Sequence, residues 1–318
     1  MSRSRAPSAD PRAVIDAVLR TDFYAFVQAI FPIVSGGGQL MLNWHIEAVA
    51  EALSKVMRGE IRRLIITVPP RSLKSICASV ALPAFILGRD PSARIICVSY
   101  SEQLARKHAN DCRAVMRSPL YRPLFPGTRI SSSKDTEFEV MTTARGFRLA
   151  TSVGGTLTGR GGNFIIIDDP MKPQDAQSQP ARENVLQWYA NTLLSRLDNK
   201  ATDAIIVVMQ RLHPEDLVGH LIEQDGWTHL DLPAIAEIDE DIPLGGNRVH
   251  HRRVGSVLLP EFPANRKINR EFFNLGSDCG SEVAIRPMIQ RTWGEIPYST
   301  EQGIFAKEQG ICTREQGI

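Results

Sequence analysis

The sequence predicts an α/β fold in which helices cover both faces of a mainly parallel sheet, with an irregular C-terminal tail. Three observations carry this expectation. Short runs of apolar and β-branched residues recur at Arg63–Val68, Arg94–Tyr100, Phe164–Ile167 and Ala204–Met209. Segments with apolar residues at helical spacing separate them. The runs have no polar side, and strands of that kind belong in a sheet covered above and below. At 318 residues the chain has room for one large α/β domain with an appendage, or for two modest domains.

Taken in order, Pro11–Phe31 reads as one amphipathic helix, stopped near Pro32 and the flexible run Gly36–Gly38. Asn43 is placed to cap a second helix, in which Ile46, Val49, Ala50, Leu53 and Met57 recur at helical spacing. The strand Arg63–Val68 closes at Pro69 and Pro70, and a helix is expected from Ser75 to Leu87. After the second strand comes a helix over Glu102–Arg117. Thr136–Val153 holds two β-rich stretches, Glu137–Met141 and Phe147–Ala150, around Ala144–Gly146, the pattern of a hairpin. A glycine-rich loop, Gly154–Gly162, leads into Phe164–Ile167, which ends in Asp168, Asp169 and Pro170. A helix at Arg182–Leu197, the strand Ala204–Met209 and a helix at Pro214–Gln224 complete the alternation.

Past about Gly255 this order fades. Glu-Gln-Gly-Ile occurs three times, ending at Ile304, Ile311 and Ile318. Each unit offers one Ile beside a Gly, whereas a coiled coil needs two apolar seam positions per repeat. The segment therefore reads as low-complexity tail. The expected division is a helical segment at 1–39, a sheet domain at 40–240 and a truncated tail at 241–318.

Composition narrows the function classes. An apolar share of 43% and a charged share of 23% are ordinary for a globular protein. The net charge of +2 creates no global field for nucleic acid, so any DNA contact must come from local patches. Lys107, Arg113, Arg117 and Arg122 form one such neighbourhood, or simply a solvated helix face. The five cysteines are scattered with no CxxC pair, which leaves zinc and redox centres unsupported and suits free thiols in the cytoplasm. No apolar run reaches the length of a membrane span, and Met1–Pro11 lacks the apolar core of a signal peptide.

The segment Thr67–Ser75 carries the chemistry. It follows a strand and opens a helix, the place where backbone amides and a helix dipole can cradle phosphate. Lys74 can reach the β- and γ-phosphates of ATP, and the Ser75 hydroxyl can ligate Mg2+. Pro70, Arg71, Ser72 and Leu73 form the rest of the cradle. The usual phosphate loop has Gly at the positions of Val68 and Leu73, and this chain has neither. Asp168, at the end of a buried strand, supplies a carboxylate for magnesium, and Asp169 can polarise the attacking water. Two adjacent acids after four apolar residues are costly unless they meet a cation or solvent. A helix-capping turn is the alternative use of Asp-Asp-Pro.

Four stretches, in order, resemble the ATPase domain of tailed-phage terminase large subunits. They are Gly59–Ser75 (GEIRRLIITVPPRSLKS), Ile95–Asp111 (IICVSYSEQLARKHAND), Gly146–Pro170 (GFRLATSVGGTLTGRGGNFIIIDDP) and Ala204–Leu217 (AIIVVMQRLHPEDL). The similarity runs from about Ala13 to Ala236. It implies a P-loop NTPase fold, ATP and Mg2+ as cofactors, and ATP hydrolysis that drives double-stranded DNA into an empty capsid. By position it assigns Lys74 and Ser75 to phosphate and metal, and Asp168 to metal. Asp169 falls where such proteins often place a catalytic Glu. Arg71 could touch the γ-phosphate, and Arg160 could act as an arginine finger on a neighbouring subunit's ATP. An ion pair or a loop contact is the alternative for each arginine. Gln210 and Arg211 lie where related motors couple hydrolysis to movement, with a structural turn as the alternative. Trp44 and His45 lie where an adenine contact is common, although packing suits Trp44 better.

The same resemblance implies a homo-oligomeric ring on the portal protein, a small terminase subunit as partner, and a bacterial cytoplasm as location. Complete relatives continue into a nuclease domain of about 150–200 residues, an ordinary domain size. Past Gly255 only about sixty residues remain, with Asp278 the sole Asp, so nuclease activity is not expected. Two rivals stay open. One is an inactive prophage remnant that binds nucleotide or a partner; the other is a helicase-like translocase, which should carry a second motor domain.

Overall fold

Asp10 and Asp22 begin the structure by capping successive helices. The computed structural model describes residues 10–157 and 159–259. Asp10 accepts from the Arg12 amide at the start of α1 (Pro11–Thr21), and Asp22 accepts from the Ala25 amide at the start of α2 (Phe23–Val34). The single helix expected over Pro11–Phe31 is thus two, because the Asp22 cap restarts the chain. Pro32 does not end the second one. It sits inside the last turn of α2, and the helix runs on to Val34.

Asn43 precedes α3 (Trp44–Met57), yet its side chain makes no cap bond and donates instead to the Leu258 carbonyl at 2.8 Å. Then come β1 (Arg63–Thr67), a π-helical turn at Ile76–Ala81, and α4 (Leu82–Arg89). The helix expected from Ser75 is therefore wide-turned at its start. β2 (Arg94–Ser99), α5 (Glu102–Arg117) and the short α6 (Tyr121–Leu124) follow. β3 (Ile130–Asp135), β4 (Glu139–Thr142) and β5 (Phe147–Ser152) precede β6 (Phe164–Asp168). The chain then forms α7 (Gln179–Trp188) with π and 3-10 turns to Arg196, β7 (Ala204–Met209) and α8 (Leu217–Ile222). It closes with β8 (Thr228–Asp231), β9 (Glu240–Gly245) and β10 (Arg248–Arg252).

Eight strands form one sheet in the order β3-β4-β5-β2-β6-β7-β1-β8. All neighbours from β5 to β8 run parallel, and β3 and β4 are antiparallel additions at one edge. Side chains alternate across a strand, so consecutive apolar residues serve opposite faces. Leu64, Ile66, Ile166, Ile206 and Val208 join the core under α2–α5. Ile65, Ile165, Ile167, Ile205 and Val207 join the core under α7 and α8. This is the mainly parallel, doubly covered sheet expected from the runs without a polar side.

The glycine at the β4–β5 turn has a packing reason. A Cβ on Gly146 would stand 2.2 Å from the Pro91 carbonyl oxygen and 2.6 Å from that of Ala93. The same backbone bonds the turn, with the Gly146 amide donating to Pro91 at 3.2 Å. Gly146→Ala should cost about 1–3 kcal/mol, the scale of overpacking against a backbone that cannot yield. Urea unfolding checks this, and unchanged stability would refute the contact.

Ordered packing runs past the expected boundary at 241. β9 and β10 pair as an antiparallel hairpin, the Trp44 ring stacks on His250 at 4.1 Å, and the buried Arg252 lies over the same indole at 5.6 Å. Leu258 and Leu259 are buried as well. The repeat at Glu301–Ile318 lies outside the described residues. Among the described residues no single helix is long and apolar enough to cross a membrane; α1 and α2 are bent by 102° where they meet.

Candidate functional site

The loop after β1 is fastened at both ends. Its first amide, Val68, donates to the Met209 carbonyl at the end of β7 at 3.2 Å. The Ser72 hydroxyl donates to the Pro69 carbonyl at 2.7 Å, and the buried His45 ring nitrogen Nε2 stands 3.2 Å from the Ser72 carbonyl. Arg71 and Leu73 have φ of 61° and 62°. This left-handed backbone costs an L residue about 1–2 kcal/mol. Leu73 therefore follows the path normally given to glycine, and its side chain packs against the core as compensation.

Asp168 ends β6 and is fully buried. β7 lies between β6 and β1, so the strand carrying the acids is one strand removed from the strand feeding the loop. The loop crosses that gap. Asp168 Oδ1 accepts from the Ser75 hydroxyl at 3.0 Å, and Oδ2 accepts from the Ser79 hydroxyl at 2.7 Å. Asp169 turns the other way. Its φ is 46°, its amide donates to the Val208 carbonyl at 2.9 Å, and its carbonyl accepts from the Tyr100 amide at 3.0 Å. Because the backbone turns here, the two adjacent carboxylates separate. Asp169 Oδ2 lies 2.7 Å from the buried Lys74 ammonium, and Oδ1 accepts from the Gln210 amide at 3.3 Å.

The electrostatics follow from burial. Burial raises the Asp169 carboxyl above the usual carboxylate range, Lys74 pulls it down, and the Asp168 charge beside it pushes it up again. His108, on α5, has its Nδ1 3.5 Å from Asp168 Oδ2. Burial first, then the positive charges of Arg148 and Lys107, drive its pKa down to about 3, so its ring is neutral near pH 7. The cluster thus gathers one ammonium, two carboxylates and two hydroxyls at the C-terminal edge of the sheet. Ser75 and Asp168 are hard oxygen donors at hydrogen-bonding distance, a pair suited to Mg2+, which is bound through few protein oxygens. Lys74 beside them suits the phosphates that would accompany it.

The other expected residues fall in different places. Pro70 is half-buried in the loop, and Arg71 is exposed on it. Arg160 lies at the opposite end of the parallel strands. It pairs with Glu139 and its guanidinium stands 4.5 Å from the centre of the Phe147 ring. The length of β6 separates that end from Asp168, about 13 Å for four residue steps. Arg160 is thus remote from its own chain's loop. The Gln210 backbone reaches Asp169, whereas Arg211 is held by Asp216 at 3.1 Å and by the His213 and Pro214 carbonyls. Arg211 therefore braces its own turn. Trp44 is engaged by His250 and Arg252. In the basic neighbourhood Lys107 pairs with Asp111, and Arg113 and Arg117 both pair with Asp135, which cancels much of its charge.

Ser79, His108 and Arg148 were not legible as site residues. The one available signal was Ser79 standing four positions after Ser75, one helical turn on. Thr67, at the end of β1, is likewise joined to β8: its hydroxyl lies 2.7 Å from His229 Nε2 and 2.5 Å from Asp231 Oδ1.

No protein-family model matches the sequence, and no curated protein matches it. Comparison with solved structures finds the large terminase of bacteriophage HK97, at 16% identity and a TM-score of 0.46. The match covers 80% of this chain and 53% of that one, so the chain spans about half of that protein's length. The Thermus phage P74-26 large terminase ATPase domain matches at 14% identity and a TM-score of 0.37, over 57% of this chain and 68% of that one. S. cerevisiae Dbp5, solved with Nup159, Gle1, IP6 and ADP, matches at 13% identity and a TM-score of 0.37, over 59% and 48% of the two chains.

Proposed function

We propose that this chain is a magnesium-dependent ATPase and the motor part of a DNA-packaging terminase. The observation that carries the reading is the meeting of Lys74, Ser75, Asp168 and Asp169 at the end of a parallel sheet. Two side chains from a loop after one strand and two from the tip of another come within 3.0 Å of each other. Phosphate-transfer sites need this combination, because the transition state spreads negative charge that fixed cations and amides must stabilise.

In this reading the amides of Arg71–Ser75 and the Lys74 ammonium bind the phosphates. Ser75 and Asp168 hold Mg2+, which neutralises phosphate charge when bound. A triphosphate competes with Asp169 for Lys74, and Asp169, once released from that pair, orients the attacking water. The 2.7 Å contact between the two supports such an exchange. The Gln210 amide on Asp169 gives β7 a direct tie to that acid, which supports a coupling role at Gln210. Arg71 is free to meet the γ-phosphate of its own site. Arg160, at the far end of the strands, serves a neighbouring subunit in a homo-oligomeric ring. Double-stranded DNA, the portal protein and a small terminase subunit are the partners of that ring, in the bacterial cytoplasm and at the procapsid.

Steady-state ATP hydrolysis, measured with and without double-stranded DNA, tests the reading. Hydrolysis that needs Mg2+ and rises several-fold with DNA is the expected result. Hydrolysis indifferent to DNA would remove the motor part of the proposal. No hydrolysis in either condition would favour an inactive remnant.

A further inference from the structure

The two oxygens of Asp168 have different surroundings. Oδ1 faces the loop and accepts from Ser75 at 3.0 Å. Oδ2 faces inward and accepts from Ser79 at 2.7 Å, with His108 Nδ1 3.5 Å away. Ser79 and His108 are both buried.

Ser79 stands within the π-helical turn Ile76–Ala81. Such wide turns are rare and frequent at functional sites. Here the turn is pinned from behind. The Ser79 carbonyl accepts from Arg148 Nη2 at 3.2 Å, and Arg148, on β5, is fully buried. Its Nε and Nη1 have no hydrogen-bond partner among the described residues. A buried guanidinium without a paired carboxylate is an expensive choice for a strand interior. Burial is the main influence on His108, Cys97 and Cys112, and the Arg148 charge acts on all three as well.

Resting on the nucleotide-site reading above, we infer that Ser79, backed by Arg148, is a positioning residue. It clamps Oδ2 of Asp168 so that Oδ1 is the oxygen presented to the metal beside Ser75. A carboxylate at a strand end can rotate about its side-chain bonds, and a fixed donor on one oxygen removes that freedom. Outer partners of this kind typically change metal affinity by about 10–100-fold when lost. The clamp acts only on the metal-binding acid. The phosphate contacts of Lys74 and the loop amides do not depend on it.

The test is binding of a fluorescent ADP analogue by the full chain, titrated with Mg2+ or held in EDTA. Mn2+ binding in the presence of ADP, followed by electron paramagnetic resonance, gives a readout independent of turnover. Ser79→Ala, a small truncation, should weaken Mg2+ or Mn2+ binding about tenfold and leave affinity in EDTA within twofold of the native chain. Arg148→Met should act in the same direction, and Arg148→Lys, which keeps a donor and the charge, should recover part of the loss. If Arg148→Met does not fold, Ser79→Ala alone decides. Metal affinity unchanged in Ser79→Ala would overturn the inference. So would an equal loss with and without metal, since that marks a general structural role. A native chain that binds the analogue no better with Mg2+ than without it would instead overturn the nucleotide-site reading itself.

Discussion

Lys74→Ala should lower ATP turnover by about 10²–10³-fold, the usual effect of deleting one preorganised charge from a transition-state site. The native ammonium is buried and has Asp169 at 2.7 Å. It therefore sits in a low-dielectric place where its charge counts for more than on the surface. Removal also leaves Asp169 without its cation. Burial and the Asp168 charge both push that carboxyl upward, so Asp169 in the variant is driven towards its protonated form. The loss should therefore fall on turnover as well as on nucleotide affinity. Steady-state kinetics with thermal denaturation as a folding control checks it. A folded Lys74→Ala protein that hydrolyses ATP at the native rate would end the phosphate-loop assignment.

The second large effect is expected at Asp168. Asp168→Asn keeps the shape and the hydrogen-bonding capacity towards Ser75 and Ser79, since hydroxyls can donate or accept. It removes the negative charge that a hard cation requires. Turnover should fall by about 10²-fold or more, because magnesium neutralises the phosphate charge in such sites. Nucleotide affinity in EDTA should stay near the native value. The two variants thus divide the site. Lys74→Ala weakens binding with and without metal, and Asp168→Asn weakens only the metal-dependent part. If Asp168→Asn retained full magnesium dependence, the carboxylate would be a structural cap and the metal would lie elsewhere.

Much of this site was legible because its parts are local in sequence. Lys74 and Ser75 follow a strand and open a helix, and Asp168 and Asp169 end the most apolar run. Each motif was readable from a window of about ten residues. The sheet was readable for the same reason: Ile65, Ile66, Ile166 and Ile167 leave no polar face, and only burial on both sides suits them. The short strands at Ile130–Asp135, Thr228–Asp231 and Glu240–Arg252 were missed. Their polar or exposed residues carry no apolar period, and they form because a neighbouring strand offers an edge. The break at Asp22 was hidden because the same apolar spacing continues on both sides of it.

Residue order alone determined the α/β class, the strand-to-helix loop carrying Lys74 and Ser75, and the pair of acids at a strand tip. These depend on spacing and on side-chain chemistry, which the chain states directly. Only the tertiary structure decided which groups meet: Lys74 with Asp169, Ser75 and Ser79 with the two oxygens of Asp168, Arg148 behind them, and Arg160 far away. The physical reason is that these partners are tens of residues apart in sequence. Their distances are set by strand order, by the left-handed turns at Leu73 and Asp169 and by the π-turn after Ser75, none of which a local window encodes.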